Sequence, residues 1–243
     1  MNRSLIIIMM SIGQLSAQII TDRPDQTESA VTVGLKNLQI ESGAVIEYLG
    51  EDPGSSRQIV VPSTLLRYGV TRNFELRIVS ELASLKIGDS VSRGATDLEI
   101  GGKLQLRDAD AGTQFAILSH LIVPTGAKKF TNDKYGIASR LAISHDVNEK
   151  IGLGYNIGYN YMGAGSGDIV YTIAMGMGLN DRVGFFIEPY GALADFDEFV
   201  LDFDAGFTFL LQKHAQLDLS FGRSATHKMK YLSAGISWKF ERN

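Results

Sequence analysis

The sequence predicts an all-β protein, a single antiparallel up-and-down transmembrane β-barrel of about 12 strands. Three observations carry this reading. From residue 37 onward, apolar and polar residues alternate in runs of about ten, the period of a strand and the length a tilted strand needs to cross a bilayer. The breaks between runs alternate between tight and long. Aromatic residues gather on the apolar parity near the run ends, where a membrane barrel carries its girdles. The 243 residues are 44% hydrophobic and 21% charged, a mixture unlike that of a disordered chain. There is no cysteine, which excludes a disulfide scaffold, cysteine-ligated zinc and a thiol nucleophile. A net charge of -4 gives no global basis for binding nucleic acid.

The elements follow in order. Met1-Asn2-Arg3-Ser4 and the apolar Leu5 to Ile12 precede the small residues Ser16 and Ala17. Residues 1–17 are therefore expected to be a signal peptide, too short to span a bilayer as a helix. Residues 18–36 are expected to form an N-terminal periplasmic or plug segment, and 37–243 the barrel domain. Strands are expected at 38–48, 58–69, 74–86, 96–107, 113–123, 136–145, 151–161, 168–179, 183–193, 199–211, 215–222 and 231–240. Phe74-Glu75-Leu76-Arg77-Ile78 and Leu201-Asp202-Phe203-Asp204-Ala205 show the alternation plainly. Thr71-Arg72-Asn73, 108–112, Val147-Asn148-Glu149, Asn180-Asp181-Arg182 and Gln212-Lys213-His214 read as tight links, and 50–57, 88–95, 124–135 and 162–167 as long ones. Short turns at one end with both termini, and long loops at the other, are the pattern of an outer-membrane barrel with periplasmic termini. A soluble sandwich fits less well, because the runs are long and hairpin follows hairpin. Pro62 and Pro189 fall inside strands, and a bulge is expected at each.

With the apolar parity facing lipid, the other parity places Glu41, Glu47, Arg67, Glu75, Arg77, Glu81, Asp97, Glu99, Lys103, Arg107, Arg140, Glu188, Asp202, Asp204, Asp218 and Lys239 inside. A charge facing the bilayer midplane costs about 2–4 kcal/mol, so the regular alternation implies a polar lumen. Acids outnumber bases in this set, which favours cations in an open pore. Gly152, Gly154 and Gly158, with Gly176 and Gly178, contribute almost no inward side-chain volume. They are expected either to border a narrow passage or to accommodate curvature and bulky neighbours.

Thr21-Asp22-Arg23-Pro24-Asp25-Gln26-Thr27-Glu28, followed by Leu38-Gln39-Ile40-Glu41-Ser42-Gly43 at the first strand, resembles the MetA-pathway phenol-degradation family of bacterial outer-membrane "transporter" proteins. The resemblance implies an outer-membrane protein that admits hydrophobic or aromatic compounds. Within the motif, Arg23 lies between Asp22 and Asp25 while Pro24 holds the backbone extended. The segment Asp22, Arg23, Pro24 and Asp25 is expected to fold into or across the periplasmic mouth, with Arg23 meeting inward carboxylates. The other reading is a leader that merely precedes the first strand.

An enzyme finds little support. Ser119 beside His120 and Ser144 beside His145 point to opposite faces of a strand, and no HExxH, GxSxG or GxxxxGK[ST] motif occurs. Lys128, Lys129 and Lys134 are expected to solvate an outer loop or meet lipopolysaccharide. The acids Asp168, Asp195, Asp197 and Glu198 lack EF-hand spacing. The expected function is passive passage of small molecules, hydrophobic or aromatic ones among them, through an outer-membrane channel with no metal or other cofactor. The competing reading is a closed structural or adhesion barrel without transport. Expected partners are outer-membrane lipid, lipopolysaccharide and a small-molecule solute, with no nucleic acid; the sequence sets no oligomeric state.

Overall fold

A computed structural model describes residues 19–50, 55–107 and 112–242. The expected signal peptide lies outside the described residues, as do 51–54 and 108–111. The strands are β1 Leu38–Leu49, β2 Ser56–Gly69, β3 Phe74–Ile87, β4 Ser90–Ala95, β5 Leu98–Arg107, β6 Thr113–Val123, β7 Gly136–Asn148, β8 Ile151–Tyr161, β9 Asp168–Gly178, β10 Val183–Ala194, β11 Glu198–Gln212, β12 Ala215–Ser224 and β13 Met229–Phe240. All but β4 close into one antiparallel barrel of 12 strands, in which β1 pairs with both β2 and β13, and β3 with β5. Closure pairs each of these twelve strands on both sides, as a bilayer requires, while β4 pairs with β3 alone.

Two details differ from the sequence expectation. The stretch read as the long link at 88–95 contains β4, which doubles back on β3 from Ile87↔Ser90 to Leu82↔Ala95. Gly88 at φ 56° lets Gly88-Asp89 close this two-residue hairpin. The expected bulge exists at Pro62, where the register shifts between Val60 and Ser63. It does not exist at Pro189, which pairs with Phe203 without a shift. On the β9 side the pairing lapses between Ile187 and Tyr190 but resumes in register, so the missing N–H omits part of a ladder without bending the strand.

The alternation has its physical outlet in this closure. Leu76, Ile78, Leu104, Ile117, Leu219 and Ile236 stand exposed on the outer wall, where lipid replaces water. At the end carrying the tight turns and both termini, Tyr68, Phe209, Trp238 and Phe240 are exposed. Tyr48, Tyr159 and Phe199 are exposed at the loop end, and Phe199 stacks on Tyr171 with ring centroids 6.0 Å apart. The charged parity faces inward. Arg67, Arg77, Lys103, Glu41, Glu75 and Glu188 are among the largest fully buried side chains.

Candidate functional site

The interior charges are segregated. On the wall made by β2, β3 and β5, Arg67 stands directly opposite Arg77, and Lys103 pairs with Glu75. Across the lumen, on β10–β12, Glu188 stands directly opposite Asp204, with Asp202 and Asp218 nearby in the same sheet. Like charges placed opposite one another on neighbouring strands repel. Glu75 gives the cationic wall one carboxylate for three cations, so each wall gains from a further counter-group.

The strap of residues 19–36 provides it. The chain runs into the lumen, crosses it, and returns to the turn end, where Lys36 N donates to Gly69 O (2.7 Å) before β1 begins. Asp22 lies among the three cations. It accepts from Arg77 Nη1 (2.6 Å) and Lys103 Nζ (2.9 Å) and forms an ion pair with Arg67 Nη1 (3.1 Å). Its neighbour Arg23 points to the other wall, donating from Nη2 to Asp218 Oδ1 (3.0 Å) and Ser233 Oγ (3.0 Å). Gly43 and Gly235, directly paired across β1 and β13, make the notch for this guanidinium, and a Cβ at either position would overlap it. Adjacent residues of opposite charge thus face opposite walls of matching polarity.

The rest of the strap is held as closely. Gln26 N donates to Glu188 Oε2 (2.6 Å), and the Thr27 hydroxyl bonds Glu188 and Thr172. Asn156 accepts from Glu28 N (2.7 Å) and donates to Glu28 O (3.0 Å). The Glu28 carboxylate meets Arg77 at 2.8 Å and Lys103 at 3.4 Å. Ser29 N donates back to Asp22 Oδ1 (2.8 Å). Ala30 is fully buried with Ala116, Leu118 and Ala142, and the small Ala116 and Ala142 let the strap backbone approach β6 and β7. On the return leg, Arg67 Nη2 donates to Val31 O (2.8 Å) and Val33 N donates to Glu75 Oε2 (2.8 Å).

Direct pairing of buried charges, more than net neutrality, explains why this arrangement holds. On the cationic wall, Arg67, Arg77 and Lys103 meet Glu41 and Glu75, three positive charges against two negative. Asp22 and Glu28 change this excess of one positive charge to one negative. Burial alone would raise the Asp22 carboxyl, but Arg67, Lys103 and Arg77 together hold it well below the usual carboxylate range. Asp25 has the reverse environment. Burial, reinforced by Glu188, pushes its carboxyl well above that range.

The remaining lumen residues have more local partners. Arg77 Nε donates to His120 Nε2 (2.9 Å), which leaves the imidazole proton on Nδ1 to be shared with Glu99 Oε2 (2.8 Å). Ser63 Oγ donates to Glu81 (2.6 Å), and the Tyr231 hydroxyl to Asp204 (2.6 Å). Lys239 pairs with Glu241 (3.4 Å). Arg140 donates to Asn160 (2.7 Å) and lies over Gly158, which therefore borders a side chain and not open space. Gly154 packs near the Thr27 methyl, whereas a Cβ on Gly176 would meet nothing within 4 Å. The loop acids Asp168 and Asp195 cap backbone N–H groups, and among the described residues no acid or histidine group has the arrangement of a metal site. Sequence reasoning passed over Gln39, Gln105, Thr172 and Asn156, uncharged members of the inward parity that bind the strap or its ion pairs.

Two larger cavities flank the strap. One of about 690 Å³ at the turn-end mouth is bounded by Ile20, Asn148, Gly176 and Phe186. The other, of about 520 Å³, reaches the loop-end rim along Glu47, Leu49, Tyr190, Asp202 and Tyr231. Arg23, Pro24 and Asp25 line both cavities and form the wall between them.

A family model described as "Putative MetA-pathway of phenol degradation" matches residues 21–240, which span the strap and the whole barrel. The chain belongs to this family. No curated protein matches the sequence of this family member. Among solved structures, it is similar to the COG4313 outer membrane channel from Pseudomonas putida F1, at 12% identity and TM-score 0.74, covering 91% of this chain and 100% of that one. It is also similar to the KdgM porin in complex with disordered oligogalacturonate, at 11% identity and TM-score 0.58, covering 84% and 99%. The CymD monoaromatic hydrocarbon channel matches at 10% identity and TM-score 0.50, covering 86% and 89%. At these identities the likeness is one of fold. Fold and family together make the chain a bacterial outer-membrane β-barrel.

Proposed function

We propose that this barrel is a channel for small molecules, narrowed by its own N-terminal strap, with the turn end in the periplasm. The observation that carries the reading is the shared wall: two cavities approaching from opposite ends are separated by Arg23, Pro24 and Asp25. Displacing one short segment joins them, with no rearrangement of the barrel. The outward cavity combines Tyr190, Tyr231, Val45, Leu49 and Met229 with the acids Glu47, Asp25 and Asp202. This lining suits small neutral or cationic solutes with apolar or aromatic bodies and disfavours anions. The family description and the monoaromatic channel CymD support hydrophobic or aromatic solutes as the class. The Ser224 hydroxyl meets His227 through Nδ1 (2.6 Å), the nitrogen that also faces Asp202 at 3.8 Å, so the three do not form a relay through both ring nitrogens.

Conductance in planar bilayers tests the proposal. Deleting residues 21–28 should raise single-channel conductance several-fold over the intact protein, and should speed entry of phenol into proteoliposomes. If both proteins fold, shown by heat-modifiable gel mobility, and both remain electrically silent, the barrel is closed and its function lies in its loops.

A further inference from the structure

The outer wall carries a row of cations along one side of the loop end. Reading from strand to strand through the pairing register, Lys86 on β3 is opposite Arg57 on β2, Arg57 opposite Tyr48 on β1, Tyr48 opposite Lys230 on β13, and Lys230 opposite Arg223 on β12. Each lies one residue from the loop end of its strand. All five are exposed and lie on the parity that faces the membrane. One step toward the middle of the barrel on the same parity the row becomes apolar on four of the five strands, with Ile59, Ile46, Leu232 and Phe221 paired in sequence and Ser84 on β3. The cations therefore stand where hydrocarbon gives way to headgroups.

Two like-charged pairs, Lys86 with Arg57 and Lys230 with Arg223, repel each other within the sheet. Among the described residues, no carboxylate forms an ion pair with any of the four. Lys230 is instead placed over the Tyr48 ring, 5.5 Å from its centroid. Beside them is a recess of about 540 Å³ bounded by Tyr48, Arg223, His227, Lys228 and Lys230. The feature is one-sided. At the loop ends of β8, β9 and β11 the outward positions are Tyr159, Tyr171, Phe199 and Phe203, with no cation among them.

We propose that this row and its recess form a binding site for a phosphorylated glycolipid of the outer leaflet. Arg223 and Lys230 would take one phosphate at the recess, and Arg57 and Lys86 a second. Four strand spacings, about 19 Å, separate the ends of the row, too long for one phosphate and suited to a sugar head bearing two. Arginine supplies paired N–H donors for phosphate oxygens and lysine a point charge. The site depends on the outer-membrane location and not on whether the lumen conducts.

Native mass spectrometry of the full-length protein released from detergent micelles tests this, with diphosphoryl lipid A, monophosphoryl lipid A and phosphatidylglycerol as probes. The intact protein should retain one diphosphoryl lipid A, bind the monophosphoryl form more weakly, and bind phosphatidylglycerol least. The R223Q/K230Q variant should weaken diphosphoryl lipid A binding about 30-fold, from two surface cations each contributing about fivefold. R57Q/K86Q, at the far end of the row, is an independent variant should the first not fold, and should reduce preference for two phosphates over one. K128Q/K129Q, on another loop, should bind as the intact protein does. Unchanged affinity in both row variants, or equal affinity for phosphatidylglycerol and diphosphoryl lipid A, would overturn the assignment.

Discussion

Replacing Asp22 with Asn removes the carboxylate on which Arg67, Arg77 and Lys103 converge. The amide keeps the shape but leaves these buried cations with Glu41, Glu75 and Glu28, three against three, and with Asp22's central position uncharged. Breaking a buried ion pair by removing one partner costs about 3–5 kcal/mol. The barrel strands are held by their own ladders, so this cost should fall on docking of the strap. It shifts the equilibrium between docked and released strap by about two to three and a half orders of magnitude, at about 1.4 kcal/mol per tenfold. The chain has no cysteine, so a single Ala30→Cys gives a clean probe at a site with 0% exposure. A bulky maleimide should label Ala30→Cys slowly and the Asp22→Asn/Ala30→Cys protein at least a hundredfold faster. Equal rates in two folded proteins would show that the ion network does not hold the strap, and the reasoning from ion pairing would fail.

Two further outcomes follow from the same geometry. Arg23→Ala and Asp218→Ala should each raise channel opening, and the double variant should add little to either; fully additive effects would mean the two side chains act independently. The pH dependence has two limbs. Asp22 is held below its ordinary pKa, so its contribution to docking is present above about pH 4 and is lost as pH falls further. Asp25 is raised, so its docked form prefers the proton, and docking weakens as pH rises above the ordinary carboxylate range toward its raised value. Open probability in planar bilayers should therefore be lowest in mild acid and rise on both sides. Asp25→Asn should flatten the alkaline limb while leaving the acid limb in place.

The fold was legible because a barrel wall has only two faces and its solvents differ sharply. Every run that reads as a strand in the sequence has its apolar parity against lipid, so one misplaced residue would expose a whole row of charges. What local pattern did not specify were features set by turns and register. Gly88-Asp89 reads as the start of a long link because its hairpin partner, Ser90-Val91-Ser92-Arg93, is short. Pro62 and Pro189 look alike in sequence, and only the pairing register shows that one strand gains residues there while the other continues unshifted. Parity likewise placed Arg67, Arg77, Glu188 and Asp204 on the inner face. It did not show that Arg67 faces Arg77 and Glu188 faces Asp204, which requires knowing the stagger between neighbouring strands. Without those pairings, the opposite charges of Asp22 and Arg23 gave no indication that they serve opposite walls. Asn156 and Thr172 escaped notice because an uncharged polar residue on a strand carries no signal until a backbone passes beside it.

The most direct test of that arrangement exchanges the two charges. The Asp22→Arg/Arg23→Asp protein keeps the composition and net charge of the strap but presents arginine to Arg67, Arg77 and Lys103, and aspartate to Asp218. Its single-channel conductance should match that of the protein lacking residues 21–28. A conductance equal to that of the unaltered chain, in a folded barrel, would contradict the account.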